Sequence, residues 1–438
     1  MENINEYLGG RITNTRLLTP QQISQLLHCG AKLYPATFSR EGHLYCRRCF
    51  STIDLDDFRK IQPYCRKCIN FGKLLVNDQI LITDGSLNFP ADQIMTWQGQ
   101  LTDQQSRVCH EVLKSYQNNQ DHLIWAVTGA GKTEIIFPLI KQIIDNGQRV
   151  AICSPRIDVC IELFPRLQQA FAQTTIGLFH GKNEQQYFPC QIMIATVHQL
   201  VRFEKAFDVL IVDEVDSFPL AGDEMLHRAI IKAKKVSGTI LYLSATPPME
   251  LLKQVKQNQL HLSKLYRRFH GHPLPEPKCH LLLRPSNFLQ INPRIKWLIQ
   301  RAVKASERLM IFFPRIPDML IFERSLKRLL PQVSILSVSS KDDQRIEKVQ
   351  RFRNKEAQII LTTTILERGV TFPKIEVLVI DADAPEFSKT ALIQIAGRAG
   401  RDKGHPDDEV HLYYQFYTEK ISAVCREIKS VNQQAGLK

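Results

Sequence analysis

The stretch Ala126-Val-Thr-Gly-Ala-Gly-Lys-Thr-Glu134 decides the fold, because it joins a buried-strand run to a glycine turn and a helix start. The apolar run 123–127 predicts a strand that leads the backbone into a loop. Gly129 and Gly131 let successive N–H groups turn inward without a Cβ penalty. The positive end of the following helix adds to the same anion site. The stretch therefore predicts a phosphate loop that cradles a triphosphate; a chance glycine-rich turn is the alternative.

The residues of this loop have distinct predicted roles towards the nucleotide. Lys132 can reach the β- and γ-phosphates, and Thr133 can place its hydroxyl on Mg²⁺. The usual first glycine of the pattern is Ala126 here. The loop residues predicted to bind the nucleotide are Thr128, Gly129, Ala130, Gly131, Lys132 and Thr133. Pro138 removes one helical N–H bond, so we expect a kink about two turns into the helix.

A carboxylate pair follows another apolar run. The predicted strand 208–212 ends at Asp213 and Glu214. Asp213 can hold Mg²⁺, while Glu214 can polarise the attacking water. Two acids on a surface turn are the alternative. The segment 244–246, Ser-Ala-Thr, follows the next strand, and we expect its hydroxyls to hydrogen-bond to the acid motif.

Apolar runs alternate with helical patterns along most of the chain. Predicted strands lie at 150–153, 191–195, 208–212, 239–243, 309–313, 334–338, 358–361, 377–380 and 410–414. Near-continuous apolar strands that alternate with helices predict an α/β fold with parallel sheets, whose ligands bind at the carboxyl ends of the strands. The segment 270–277 contains three prolines and separates the two series of strands.

Two Cys-x-x-Cys turns precede this core. Their thiols, which can surround one ion, are Cys46, Cys49, Cys65 and Cys68. Four thiolates suit Zn²⁺ and close its coordination shell, so the predicted site is structural. A redox pair of dithiols is the alternative. The cations inside the turns either contact nucleic acid or offset the charge of the zinc–thiolate group, and the sequence does not decide between these; they are Arg47, Arg48, Arg66 and Lys67.

Composition narrows the class of protein. The chain has 438 residues, 44% of them apolar and 23% charged, as in an ordinary globular protein of several domains. Without a long apolar run or a signal peptide, we expect a cytoplasmic protein whose eleven cysteines are free thiols or metal ligands. The formal charge of +13 favours a polyanionic partner such as nucleic acid.

Two further candidates lie on either side of the core motifs. Gln105 can bind the adenine edge, and as the third residue after Thr102 it can also complete a capping box; both can hold at once. Arg398 and Arg401 are three residues apart and would share one face if the segment is helical. Arginines so placed predict fingers that stabilise charge on the γ-phosphate. A solvated arginine face is the alternative.

The order and spacing of these motifs resemble those of superfamily 2 helicases and translocases. They are AVTGAGKTE (126–134), SPRID (154–158), ATVHQL (195–200), DEVD (213–216), SAT (244–246), IFFPRI (311–316), TTTILERGVTF (362–372) and QIAGRAGR (394–401). The cysteine turns ahead of the core, together with HGHPLPEP (270–277), resemble the late-competence DNA-uptake ATPase family, ComFA. The resemblance implies two tandem RecA-like parallel-sheet domains preceded by a small zinc-binding domain. The expected boundaries are 1–40, 41–73, 97–268 and 278–438.

The resemblance also implies a function. It is that of an ATP-driven motor on single-stranded DNA that powers import of transforming DNA during natural competence, with ATP, Mg²⁺ and Zn²⁺ as cofactors. Gln394 and Gly369 join the nucleotide site by this resemblance. The implied strand contacts are Pro155, Arg156, Thr196, His198, Arg315, Thr363 and Thr364.

The resemblance further implies partners at the inner face of the cell membrane. They are a phosphoribosyltransferase-like competence protein, a single-strand DNA-loading protein, the membrane DNA-uptake channel and a possible second copy of this chain. The sequence contains no aromatic-rich strand-separating insertion, so we expect translocation, and the sequence does not decide whether duplex DNA is unwound. The alternative functions are a replication-restart type of DNA helicase and an ATP-switched DNA-binding adaptor.

Overall fold

Two compact units make up the chain. The first is Met1–Trp125 with Lys132–Leu265, and the second is Ala126–Gly131 with Tyr266–Lys438. The structure, a computed structural model, describes residues 4–55, 62–91, 94–181, 186–283, 288–370, 372–402 and 404–437. Residues 56–61 of the predicted zinc domain and Thr371 of the motif at 362–372 lie outside the described residues.

The first unit begins with two small antiparallel sheets and a helix. The elements are β1 (Ile12–Asn14), α1 (Pro20–His28), β2 (Lys32–Pro35), β3 (Thr37–Arg40), β4 (His43–Cys46), β5 (Thr52–Ile53) and β6 (Gln79–Ile82). The strand orders are β1-β6-β2 and β3-β4-β5. A capping box of Thr19 and Gln22, with Pro20 at the first helical position, starts α1. The sequence indicated no chemistry for residues 1–40, and this region is nevertheless a folded part of the first unit.

The larger sheet of the first unit follows. Its elements are α2 (Asp103–Gln117), β7 (His122–Ala126), α3 (Lys132–Asp145), β8 (Val150–Ser154), α4 (Ile157–Ala170), β9 (Ile176–Phe179), β10 (Ile192–Thr196), β11 (Phe207–Val212), α5 (Glu224–Ala233), β12 (Lys234–Ser244), α6 (Met249–Lys256) and β13 (His261–Leu265). The described residues form seven strands in the order β13-β7-β12-β11-β8-β10-β9, and the five pairs from β7 to β9 are parallel. Every residue of β8 and β10 is buried, as their apolar sequences predict.

The second unit has a six-stranded parallel sheet among its described residues. Its elements are β14 (Lys278–Leu281), α7 (Pro293–Lys304), β15 (Arg308–Phe312), α8 (Ile316–Leu329), β16 (Ile335–Val338), α9 (Arg345–Arg353), β17 (Ile359–Thr362), β18 (Ile375–Val379), α10 (Lys389–Ala396), β19 (Val410–Tyr414) and α11 (Glu419–Gln434). The strand order is β14-β19-β18-β15-β17-β16. The predicted fold class, two parallel-sheet α/β domains after a cysteine-containing region, is confirmed. No helix within the described ranges has the length and apolar character to cross a membrane.

The strand order determines which motifs share an edge. In the first unit, β12, β11, β8 and β10 are successive neighbours. Because the carboxyl ends of parallel strands meet at one edge, the residues that follow these strands lie along that edge. They are Ala245 after β12, Asp213 after β11, Pro155 after β8 and Val197 after β10. The nucleotide motifs and the expected strand contacts of this unit therefore belong to one edge of one sheet.

Candidate nucleotide and nucleic-acid sites

The phosphate loop has the backbone shape that its sequence predicts. Gly129 and Gly131 have positive φ values of 78° and 74°, and α3 begins at Lys132. The hydroxyl of Thr128 is buried and has no hydrogen-bond partner in the described part of the chain. Left-handed glycines, a helix start and an unsatisfied hydroxyl fit a bound triphosphate. The helix α3 continues through Pro138 to Asp145.

The loop packs within the second unit against the segment that follows α10. The carbonyl of Gly129 accepts a hydrogen bond from the backbone N–H of Phe269, at 3.0 Å. A Cβ atom added at Gly397 would lie 1.9 Å from Oγ1 of Thr128. Only glycine therefore allows this approach between the loop and the segment 397–401.

The arginine segment is not helical, so the condition under which Arg398 and Arg401 would share a helix face is not met. The helix α10 ends at Ala396, and both arginines lie in the turn beyond it. Gly397 caps the helix, and Gly400 has a φ of 61°, a conformation that favours glycine and ends helices. Each arginine is instead held by a backbone carbonyl: Arg398 Nε donates to Glu367 at 3.0 Å, and Arg401 Nε donates to Gly397 at 2.9 Å.

A buried arginine, Arg268, holds the same segment, and sequence reasoning missed it. Its guanidinium donates to the carbonyl oxygens of Gly400 at 2.6 Å, Ala399 at 2.9 Å and Gly397 at 3.1 Å. The residue is only 2% exposed. Burial, and next the charge of Arg401, lower the pKa of Arg268 to about 9. Nothing in the pair Arg267-Arg268 distinguishes the buried arginine from its exposed neighbour.

The other residues that the resemblance placed at the nucleotide lie close to this segment in the chain or in space. Gln394 is buried on α10, and Gly369 has a φ of 72°. The bond from Arg398 to the Glu367 carbonyl joins the arginine segment to the motif at 362–372. The structure therefore brings this motif and the arginine segment together within the second unit.

The acid motif of the first unit is connected to the next strand as expected. Asp213 directly follows β11, and its Oδ1 accepts a hydrogen bond from the backbone N–H of Glu214 at 2.8 Å. Asp216 accepts from the hydroxyls of Ser244 at 2.7 Å and Thr246 at 2.6 Å. The predicted link between these hydroxyls and the acid motif is confirmed. It gives a direct path from the carboxylates to the end of β12.

Gln105 forms the capping box that the sequence allowed. Its Oε1 accepts from the backbone N–H of Thr102 at 2.9 Å, and Thr102 Oγ1 accepts from the Gln105 N–H at 3.4 Å. The side chain is buried at the start of α2. The same oxygen also accepts from the hydroxyl of Thr102 at 3.2 Å, so both of its lone pairs are used. Adenine binding by Gln105 stays a prediction.

Three of the expected strand contacts in the first unit lie together in one groove. Pro155, Thr196 and His198 line this groove, which has a volume of about 730 Å³. Burial lowers the pKa of His198, although the charge of Asp223 opposes the shift. Arg156, at the start of α4, is not among the described residues that line the groove.

The expected strand contacts of the second unit are less closely grouped. Arg315 is exposed at the start of α8, and its Nε lies 2.7 Å from a carboxylate oxygen of Asp318. A cavity of about 580 Å³ lies beside it, lined by Arg315, Arg324 and Lys341 among others. Thr363 and Thr364 follow the neighbouring strand β17, but they are not among the described residues that line this cavity.

The four cysteines form a compact cluster in the first unit. Their Sγ atoms all lie within 4.8 Å of one another. Cys46 and Cys68 are 3.8 Å apart, and Cys49 and Cys65 are 3.5 Å apart. Four sulfurs around one zinc ion at about 2.3 Å would be separated by about 3.8 Å. The cluster therefore fits a tetrahedral Zn²⁺ site, as predicted.

One cation inside the turns is directed at this cluster. Arg48 is 6% exposed and donates from Nε and Nη2 to the sulfur of Cys68, at 3.3 and 3.1 Å. It also donates to the carbonyl oxygens of Cys68 at 2.8 Å and Gly72 at 2.6 Å. Of the two interpretations of the turn cations, charge compensation therefore applies to Arg48.

Comparisons with known proteins define the class. Residues 98–249 match the family described as type III restriction enzyme, res subunit, and residues 293–403 match the helicase conserved C-terminal domain. The structure of the Mycobacterium smegmatis helicase Lhr bound to ssDNA and AMP-PNP has the same fold, with a TM-score of 0.58 at 16% identity over 77% of this chain and 49% of that one. The fold and both domain matches define a helicase-type ATPase of superfamily 2.

The family within this class follows from two relatives. The chain is 38% identical to competence protein ComFA of Streptococcus pneumoniae over 99% of both chains. It is 37% identical to competence protein ComFA of Bacillus subtilis over 86% of this chain and 82% of that one. The chain belongs to the ComFA family of competence proteins, which confirms the resemblance of its motifs.

Proposed function

We propose that this protein is an ATP-driven translocase on single-stranded DNA that powers the import of transforming DNA during natural competence. One observation supports the proposal: the nucleotide residues and the groove residues lie at the ends of strands of the same parallel sheet. Lys132 and Asp213 come after β7 and β11, and Pro155, Thr196 and His198 lie at the ends of β8 and β10. Nucleotide chemistry and strand contact can thus be coupled through neighbouring strands. Membership of the ComFA family supports competence as the setting.

The nucleotide roles are proposed residue by residue. Lys132 would bind the phosphates, Thr133 and Asp213 would hold Mg²⁺, and Glu214 would orient the attacking water. The bound Mg²⁺ would neutralise charge on the triphosphate. The further proposed nucleotide contacts are Gln105, Thr128, Gly129, Ala130, Gly131, Gly369 and Gln394, with Arg398 and Arg401 as fingers.

The proposed strand contacts suit a motor that does not depend on sequence. They are Pro155, Arg156, Thr196, His198, Arg315, Thr363 and Thr364. Contacts to phosphates hold a strand without reading its bases. The hydrogen bonds of Asp216 to Ser244 and Thr246 offer a route by which nucleotide state changes this grip.

The proposed setting is the inner face of the cell membrane. There the protein would act with a phosphoribosyltransferase-like competence protein, a single-strand DNA-loading protein and the uptake channel, as one copy or several. Support for these partners comes from the family alone.

Steady-state ATP turnover tests the proposal. The full chain is assayed with no nucleic acid, single-stranded DNA, duplex DNA and single-stranded RNA, and strong stimulation by single-stranded DNA is expected. Lys132→Ala should abolish turnover. The matched control is Lys141→Ala, since Lys141 lies on the same helix but pairs with Asp145 at 2.5 Å. This variant should keep its turnover. A turnover rate that nucleic acid does not change would favour an ATP-switched adaptor. Stimulation only by duplex or forked DNA would favour a restart-type helicase.

A further inference from the structure

The groove that contains Pro155, Thr196 and His198 has a second wall formed by the four-cysteine region. Lys67, Asn70 and Phe71, which lie in and directly after the second cysteine turn, line it together with Arg11 and Arg202. All of these residues belong to the first unit. The expected strand contacts and the cysteine turn therefore face the same groove.

We propose that the zinc-binding region forms part of the DNA track: a single strand held at Thr196 and His198 continues between Lys67 and Arg202. This inference rests on the proposed function, because it names a further contact surface for the same substrate. The phosphodiester backbone of single-stranded DNA is the occupant to which it commits.

The charge of the groove supports an anionic occupant. Arg11, Lys67 and Arg202 contribute cations, and Asp223 is the only carboxylate among the described lining residues. The Oδ1 atom of Asp223 accepts from the backbone N–H groups that it caps at the start of α5, and one carboxylate against three cations leaves the lining positive. Burial, and next the charge of Arg202, lower the pKa of Arg11 to about 10, while burial and next the charge of Arg48 lower the pKa of Arg202.

One of these cations has an unused donor. The Nε atom of Arg11 is buried and has no hydrogen-bond partner among the residues that the structure describes. The guanidinium lies over the ring of Tyr187, 4.4 Å from the centroid. A buried donor without a partner is unfavourable. A phosphate oxygen in the groove would satisfy it.

Aromatic rings alternate with the cations, as in sites for single strands. Arg202 lies over the ring of Phe71, 5.4 Å from its centroid, on the cysteine-region wall. Tyr187, which also lines the groove, lies beneath Arg11. A groove of about 730 Å³ is within the range of ligand sites in proteins.

The cysteine region is firmly attached to the larger sheet of the same unit. Arg228 on α5 donates to the carbonyl of Phe50 at 2.8 Å, and Lys232 on α5 donates to the carbonyl of Arg48. The four cysteines belong to the same apolar cluster as Leu200 and Val201 of the larger domain. The wall that carries Lys67 is thus fixed relative to Thr196 and His198.

The turn cations consequently have separate roles. Arg48 contacts the sulfur of Cys68, whereas Lys67 faces the groove. Arg66, the other residue between Cys65 and Cys68, is exposed and is not among the described lining residues. Zinc would then orient Lys67 by fixing the turn, without touching DNA itself.

Binding of a fluorescent oligothymidylate to the full chain, followed by anisotropy over a salt series, tests the inference. One lost phosphate contact should lower the salt slope by about 0.7 and the affinity about fivefold at 0.1 M salt. We expect this for Lys67→Ala and not for the matched control Arg66→Ala. In both variants, the zinc content and the rate of ATP turnover in the absence of DNA should be unchanged. Arg202→Gln, which is remote from the cysteines in the chain, should weaken binding to a similar degree.

Photo-crosslinking distinguishes direct contact from an indirect effect. An oligonucleotide with 5-iodouracil should crosslink to the peptide that contains Phe71. If the wild-type protein binds the oligonucleotide but neither Lys67→Ala nor Arg202→Gln weakens it, or if crosslinks occur only elsewhere, the inference is wrong and the proposed function stands. A wild-type protein that binds no single-stranded DNA would overturn both.

Discussion

Arg268 offers the sharpest test of how the arginine segment is positioned. Its guanidinium makes three hydrogen bonds to the carbonyl oxygens of Gly397, Ala399 and Gly400. Hydrogen bonds to a charged group contribute about 1.5–3 kcal/mol each. Desolvation of the guanidinium, which lowers its pKa to about 9, offsets part of this. We take about 2–4 kcal/mol as the net free energy by which these bonds stabilise the ordered conformation of the segment.

This free energy converts into a rate. Each 1.36 kcal/mol changes a rate about tenfold, so the loss corresponds to a fall in kcat of about 30- to 1,000-fold. The upper value does not exceed the roughly 10³–10⁵ that an arginine finger contributes. We therefore expect Arg268→Met to lower kcat for ATP about a hundredfold and to change KM little, because Lys132 and the phosphate loop still bind the nucleotide.

The assay combines turnover with thermal unfolding. Arg267→Met is the matched control, since Arg267 is exposed and its Nε donates only a long hydrogen bond of 3.3 Å to the nearby Gly271 carbonyl. Its kcat should stay within about twofold of the wild type. A folded Arg268→Met protein with nearly normal kcat would refute the positioning role. Equal losses in both variants would show that the effect does not depend on the three carbonyl bonds.

Two further predictions concern the metal site and the response to acid. Arg48→Met should weaken zinc binding about 10- to 100-fold, because Arg48 is a hydrogen-bond partner of a metal ligand. Competition with a chromogenic chelator measures the affinity, and the control Arg47→Met should behave as the wild type. His122 is buried between the hydroxyls of Ser115 and Ser263, both at 2.8 Å, with its pKa lowered to about 4 mainly by burial. In the unfolded chain the imidazole binds a proton below about pH 6.5, whereas in the folded chain it stays neutral down to about pH 4. The free energy of unfolding therefore falls as the pH drops towards 4. Urea unfolding should show about 2 kcal/mol less stability at pH 5 than at pH 8 from this group, and His122→Gln should remove that difference; an unchanged pH dependence in the variant would contradict it.

Local signals in the sequence predict much of the fold and part of the site. The phosphate loop, the acid motif and the cysteine turns are short motifs, and buried parallel strands are continuous apolar runs. Gln105 is a similar case, because a capping box depends on residues three apart. These features need no knowledge of distant neighbours.

The end of α10 shows where such reasoning stops. The spacing of Arg398 and Arg401 suits a helix face, but the helix ends at Ala396. Gly397 and Gly400 flank the first arginine. The buried Arg268, more than a hundred residues earlier, supplies donors to the carbonyls of the turn beyond the helix. A partner at that separation cannot be inferred from local spacing.

The net charge of +13 illustrates the same limit for function. A basic chain favours a polyanion, yet the charge alone does not say which cations would meet it. Arg48 is occupied by a sulfur, whereas Arg11 has a buried donor without a partner among the described residues. The backbone at Arg11 pairs with that of Phe203, which also lines the groove. The cations able to bind a DNA strand are thus those whose donors have no partner within the protein. Long-range pairing of the chain determines which cations these are.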